Sequence, residues 1–219
     1  MPTPEQVADH VTGATLDHVD PAAIDAVLFD MDGTLLDSHA AVERAWTAVA
    51  ERNGLDLADV LRDMHGLPAA TTMRRLLPHA DDATFTAELG AHAEQECTDL
   101  DGIVPLPGAQ ALIAFLAERR IPWCVVTSAQ PRLASARLGA AGFAAPVLVT
   151  PADVANGKPA PDSFLEGARR LGVPPERCLA VEDSPGGLVA ARASGAIVVD
   201  VGPGGVTLVA LLERLRGQG

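Results

Sequence analysis

Five short apolar runs, centred on Val27, Val125, Leu148, Leu179 and Val198, set the strongest limit on what this chain can fold into. Each is strand-length, and the later ones alternate with helix-like stretches, the signature of right-handed βαβ units and a parallel sheet. The candidate helices run from Gly108 to Arg120, Pro131 to Ala141, Pro161 to Leu171, Pro185 to Ser194 and Val206 to Arg216. Several open with proline, which suits a first helical turn because its missing N–H is unpaired there anyway.

Where the first run ends, the chemistry begins. Ala26-Val27-Leu28-Phe29 delivers Asp30 and Asp32, spaced i and i+2, into Gly33-Thr34. Open α/β sheets keep their ligands at the carboxyl edge of the strands, which is where these acids would stand. Asp and Gly are also what any polar turn uses. Three further signals downstream, in a fixed order and each at a place where an α/β sheet would present it, outweigh that plainer reading. Thr127 ends Trp123-Cys124-Val125-Val126, Lys158 lies in Asn156-Gly157-Lys158-Pro159, and Glu182-Asp183 ends Cys178-Leu179-Ala180-Val181. Lys158 is the only lysine in the chain, against fifteen arginines. A compact ammonium on a flexible stem can reach a phosphoryl oxygen and a carboxylate together, where arginine would present a wider planar fork. Near a metal and a phosphorus atom, one carboxylate can attack while a second, two residues on, handles the proton of the alcohol. The pattern points to magnesium-dependent phosphoryl transfer.

Between Asp37 and about Val104 no strand signal occurs, and apolar residues recur at helical spacing. Val42, Trp46 and Val49, and Met73 with Leu76-Leu77, are the stripes of a small bundle core. Asp37 and Ser38 can cap its first helix, and Asp101-Gly102 to Pro105 with Pro107-Gly108 mark the return. The organisation expected is an α/β core of residues 25–37 and 104–219, an all-helical insert of residues 38–103, and an acidic extension of residues 1–24. Inside the insert, His65-Gly66-Leu67-Pro68 should form a loop between helices.

Charge narrows the partners. The 219 residues carry a net charge of -13, with no basic run, which argues against nucleic acid and anionic membranes. The first 24 residues hold no Lys or Arg and no long apolar block, so neither a secretory signal nor a membrane span is expected, and the cytoplasm is the default location. Cys97, Cys124 and Cys178 lack a metal-type spacing and read as reduced residues.

Taken together, Asp30-Met31-Asp32-Gly33-Thr34, Thr127, Lys158 and Glu182-Asp183 resemble the four motifs of the haloacid dehalogenase superfamily, from about Ala26 to Gly202. The resemblance implies a Rossmann-like parallel sheet flanked by helices, with the helical insert as a cap over the catalytic face. It implies Asp30 as nucleophile and Asp32 as general acid then base. Thr127, with Ser128 beside it, and Lys158 would hold the phosphoryl group. Asp30, the backbone carbonyl of Asp32 and Asp183 would bind Mg2+, with Glu182 supporting the metal or its waters. Dehalogenases proper lack the second carboxylate, and the phosphonate-hydrolysing branch needs a cap lysine that is absent here. The nearest likeness is to sugar and polyol phosphate phosphatases, with a small phosphate ester as substrate and His65, Gly66 and Arg74 as cap contacts. The alternative within the family is a phosphomutase of the β-phosphoglucomutase type. Its distal-phosphate arginine falls at Ala69 here, and the arginine of the sugar phosphatases falls at Pro68. A second alternative is a binding protein without catalysis on the same scaffold.

Overall fold

The structure is a computed structural model and describes residues 15–63 and 68–217. The five apolar runs become β1 (Ala26–Phe29), β4 (Trp123–Val126), β5 (Leu148–Val149), β6 (Cys178–Glu182) and β7 (Ile197–Asp200). They form one parallel sheet in the order β5-β4-β1-β6-β7. The chain therefore starts at the centre, winds outward through β4 and β5, then returns to the other side of β1 for β6 and β7. That reversal opens a crevice at the carboxyl ends of β1, β4 and β6, which is where a doubly wound sheet presents a ligand site.

Both faces of the sheet are covered. On one face Val27, Phe29, Val125, Leu179 and Val181 pack against α5 (Ala109–Arg119), α6 (Pro131–Ala140) and α9 (Leu208–Arg216). On the other, Ala26, Leu28, Cys124, Val126 and Ala180 meet α7 (Asp162–Leu171) and α8 (Pro185–Ala193). Period-two alternation sends successive side chains to opposite faces, so a central strand must be apolar throughout, as β1 is. The helix ends are local. Arg120 and Gly172 close α5 and α7 in the left-handed region, and the Thr207 side chain accepts from the Ala210 N–H, so α9 begins two residues after Val206.

The segment between β1 and β4 holds α1 (His39–Asn53), α2 (Leu57–Asp63), α3 (Ala69–Leu76) and α4 (Asp82–Thr98). These share a separate small core of Trp46, Val49, Ala50, Val60 and Met73, with Val42, Leu76 and Leu77 against it, the stripes expected from helical spacing. At its root, β2 (Leu36–Asp37) pairs antiparallel with β3 (Val104–Pro105), a two-stranded ribbon through which the chain leaves and re-enters. Two residues per strand leave no periodic signal to read. Ser38 stands at the N-cap of α1 without making a cap hydrogen bond, contrary to expectation, because its hydroxyl is turned to Asp32. The Asp37 side chain instead accepts from the His39 N–H at 2.9 Å. Cys97, Cys124 and Cys178 are free thiols, and among the described residues no helix is long and apolar enough to cross a membrane.

Candidate active site

Asp30 continues the β1 ladder by one step, its N–H donating to the Val181 carbonyl at 2.9 Å, and this sets its carboxylate at the mouth of the crevice. Lys158, from the segment between β5 and α7, reaches it with Nζ 2.5 Å from Asp30 Oδ1. The same ammonium donates to the Val126 carbonyl at 2.9 Å and lies 3.6 Å from Glu182 Oε1. So the one lysine spans the ends of β1, β4 and β6.

Glu182 is 1 % exposed, and both of its oxygens are held locally. Oε1 accepts from the Ser184 hydroxyl at 2.6 Å and Oε2 from the Asp183 N–H at 3.2 Å. Asp183 Oδ1 accepts from the Thr34 hydroxyl at 3.1 Å. Asp30, Glu182 and Asp183 bring one oxygen each within 4.8 Å of one another, a hard, all-oxygen set that could hold a metal ion.

Two glycines make this density possible. A Cβ on Gly187 would stand 1.4 Å from Glu182 Oε1, so only glycine lets α8 begin against that carboxylate. Gly33 has φ +82°, and a Cβ there would lie 2.2 Å from Asp183 Oδ2.

Electrostatics follow from burial. Removal from water raises the Asp30 carboxyl, and the Glu182 and Asp32 charges push the same way, while Lys158 pulls it back. Burial, then the Asp30 charge, raises Asp183 to about 6, against the hydrogen bond from Thr34. Burial alone would lower Lys158, but Asp30 and Glu182 outweigh it and raise it, so the ammonium stays charged. One cation faces three acids, and the cluster is short of positive charge.

Asp32 belongs to a second cluster. Its Oδ1 accepts from the Ser38 hydroxyl at 2.6 Å and from Arg137 on α6 at 2.9 Å. Arg137 in turn donates to Glu96 on α4 at 2.8 Å. Thr127, buried at the end of β4, accepts from the Ala129 N–H at 3.0 Å through Oγ1. Its own O–H proton is left to donate, as an anion would need. Ser128 beside it is exposed.

His65 and Gly66 lie outside the described residues. Arg74 is on α3, over the Phe85 ring at 3.7 Å and donating to the Ala80 carbonyl at 3.3 Å, so it serves the packing of the insert. With Ala70, Thr71, Arg75 and Phe85 it also lines a shallow cavity on the insert. Thr34, Ser38, Ser184, Gly187, Glu96 and Arg137 were not among the residues expected at the site. Ser184 directly follows Glu182-Asp183 and is legible as a local donor to them, whereas Thr34 meets its acceptor Asp183 only through the fold. Ser38 carries only the signal of a helix cap, and Arg137 carries no local signal.

Residues 24–195 match the model of the haloacid dehalogenase-like hydrolase family. The chain is 45 % identical over 175 residues to hexitol phosphatase A of Escherichia coli (strain K12), covering 80 % of this chain and 81 % of that protein. It is 34 % identical over 184 residues to fructose-1-phosphate phosphatase of the same organism, covering 80 % and 95 %. Among solved structures, CbbY from Rhodobacter sphaeroides in complex with phosphate is similar at a TM-score of 0.70 and 27 % identity, covering 81 % of this chain and 85 % of that one. The sheet order, the four motif positions at its carboxyl edge and these likenesses agree, and the chain belongs to the haloacid dehalogenase-like hydrolase family.

Proposed function

We propose that this protein hydrolyses the phosphate monoester of a small sugar or polyol through an aspartyl-phosphate at Asp30. The observation that carries the reading is Lys158 bridging Asp30 to the ends of the two neighbouring strands, with a second carboxylate, Asp32, held apart from it by Ser38 and Arg137. An Asp30 oxygen forms a bond to phosphorus as the ester P–O bond breaks, and Asp32 gives its proton to the departing alcohol. Asp32 then takes a proton from the water that attacks the aspartyl-phosphate, which frees inorganic phosphate and restores Asp30. Lys158 and Thr127 bind the phosphoryl oxygens, with Ser128 at the rim.

The acidic cluster fits magnesium, since its donors are all oxygen and Lys158 alone does not balance three carboxylates. Asp30, Asp183 and the Asp32 backbone carbonyl would hold the ion. Glu182, with both oxygens occupied within its own loop, would support it from behind. Bound there, magnesium supplies positive charge that keeps Asp30 ionised and offsets the phosphoryl dianion.

The substrate class rests on the relatives that act on hexitol and fructose phosphates. The helical insert of residues 38–103 would serve as the cap that excludes water and contacts the leaving alcohol. A phosphomutase must seat a phosphate at both ends of one sugar, and the position of its second cation is Ala69 here. Phosphate release from a panel of sugar and polyol phosphates, with Asp30→Asn as control, tests the reading. Release from none of the panel, or release undiminished in Asp30→Asn, would sink it.

A further inference from the structure

The Asp32 cluster reaches further into the molecule than its chemistry requires. Arg137 is buried, its side chain only 5 % exposed, and its two terminal nitrogens serve different parts of the chain. One donates to Asp32 in the loop after β1 and the other to Glu96 on α4 of the helical insert. A guanidinium is a rigid plane, so its two ends cannot be aimed independently. On the rim of the same α4–α6 pair, Arg132 makes a two-pronged pair with Glu94, which brings the helices together in register. Asp32 receives both Ser38 and Arg137 on the single oxygen Oδ1. With both donors on Oδ1, Oδ2 is the oxygen that would exchange a proton in the proposed function.

We propose that Arg137 is a positioning residue which ties the orientation of Asp32 to the seating of the helical insert through Glu96. When α4 is seated, Glu96 holds the far end of the guanidinium and the near end holds Asp32 in its working plane. When α4 lifts, Arg137 loses one of its two partners and rotates with Asp32. The kinetic half of this inference rests on Asp32 being the proton-exchanging group in the proposed function, while its structural half does not.

Two measurements on the full chain test it. In urea unfolding, Glu96→Leu and Asp32→Asn are combined in the native background and again in Arg137→Met. No hydrogen bond among the described residues joins Glu96 to Asp32, so a tie through Arg137 predicts a coupling between them that changes by at least about threefold in the folding equilibrium once Arg137 is replaced. The same coupling in both backgrounds overturns the tie, whatever the protein's activity. In single-turnover kinetics, Glu96→Leu should slow transfer from sorbitol 6-phosphate at least about tenfold more than transfer from p-nitrophenyl phosphate, whose phenolate needs less help from an acid. Glu96→Gln, still able to accept from Arg137, should recover most of that loss. Equal losses on the two esters, or no recovery in Glu96→Gln, overturn the positioning role. A native protein inert towards these two esters and towards the whole panel of sugar and polyol phosphates would instead remove the proposed function, and the urea cycle alone then decides the tie.

Discussion

At the scale of single residues, the site is a problem of packing charge into little space. Asp30, Glu182 and Asp183 crowd around one ammonium, and Gly187 and Gly33 are what allow the backbone to come so near. Gly187→Ala should therefore displace Glu182, which has no room to yield because Ser184 and the Asp183 N–H hold both its oxygens. Overpacking of this kind costs about 1 to 3 kcal/mol of stability. A displacement near 1 Å at a catalytic group costs roughly a hundredfold in rate. Thermal melts and kcat on one sugar phosphate check both, and a variant with native kcat would show that the Glu182 carboxylate is not needed where it stands. Asp30→Asn makes a sharper claim about the same cluster. The amide keeps the shape but is a poor nucleophile, so turnover should fall by several decades, each worth ~1.4 kcal/mol of barrier, while the fold is kept. Loss of less than about tenfold in a folded Asp30→Asn protein would remove Asp30 from the nucleophile's role.

Elements explain why one part of this site could be read from residue order and another could not. The strands β1, β4 and β6 each carry a continuous apolar run up to the residues given roles in the proposed function, so a local pattern marks the position. The parallel sheet then brings Asp30, Thr127 and Asp183 to one edge without further information. Arg137 lies 105 residues from Asp32 and 41 from Glu96, inside a helix that packs like any other, and nothing local distinguishes it from the surface arginines nearby. The β2–β3 ribbon is likewise two residues per strand and exists only through its pairing. Helix α4 carries a further device of this hidden kind. His92 is 1 % exposed, its ring 4.2 Å from that of Trp46, and burial together with Arg137 and Arg52 lowers it from 6.5 to about 4. Glu96 stands 3.4 Å from its Nδ1, but that carboxylate is engaged by Arg137 and the ring stays neutral near pH 7. The unfolded chain takes up a proton as pH falls through 6.5, and the folded chain only near 4, so this group's contribution is complete above 6.5 and is lost between those values. The carboxyls of buried Asp30 and half-buried Asp183 and Glu96 are raised and act in the opposite sense, which makes the difference between variants the informative quantity. From pH 7 to 4.5, the native protein should lose about 1 to 3 kcal/mol relative to His92→Leu in urea unfolding. Parallel pH profiles of the two proteins would show that His92 is not buried as a neutral ring.

The whole molecule is strongly acidic, at a net charge of -13, yet the function proposed for it draws in a dianion. The global field repels such a substrate, so attraction must be local, within about a Debye length of the crevice, where Lys158, the one lysine of the chain, and Arg137 stand and a metal ion would add further positive charge. The same imbalance bears on folding. Two buried carboxylates and one half-buried carboxylate held together by the fold are mutually repulsive, and a divalent cation that binds them only in the folded state stabilises that state by mass action. At a free magnesium concentration near a hundred times its dissociation constant the gain is ~2.7 kcal/mol. For a chain of this length that corresponds to a rise in melting temperature of about 5 to 10 °C. General screening of the acidic surface by salt also raises the melting point, so sodium chloride at matched ionic strength is the baseline from which the rise is counted. Asp183→Asn separates the two effects at the residue that proposes the site. It removes one of the three carboxylates, relieves the repulsion in the metal-free protein, and should bring the magnesium-specific rise close to zero while leaving the salt response as it was. A native protein that melts no higher in magnesium than in matched sodium chloride, or an Asp183→Asn protein that keeps the full rise, would place the ion elsewhere or nowhere.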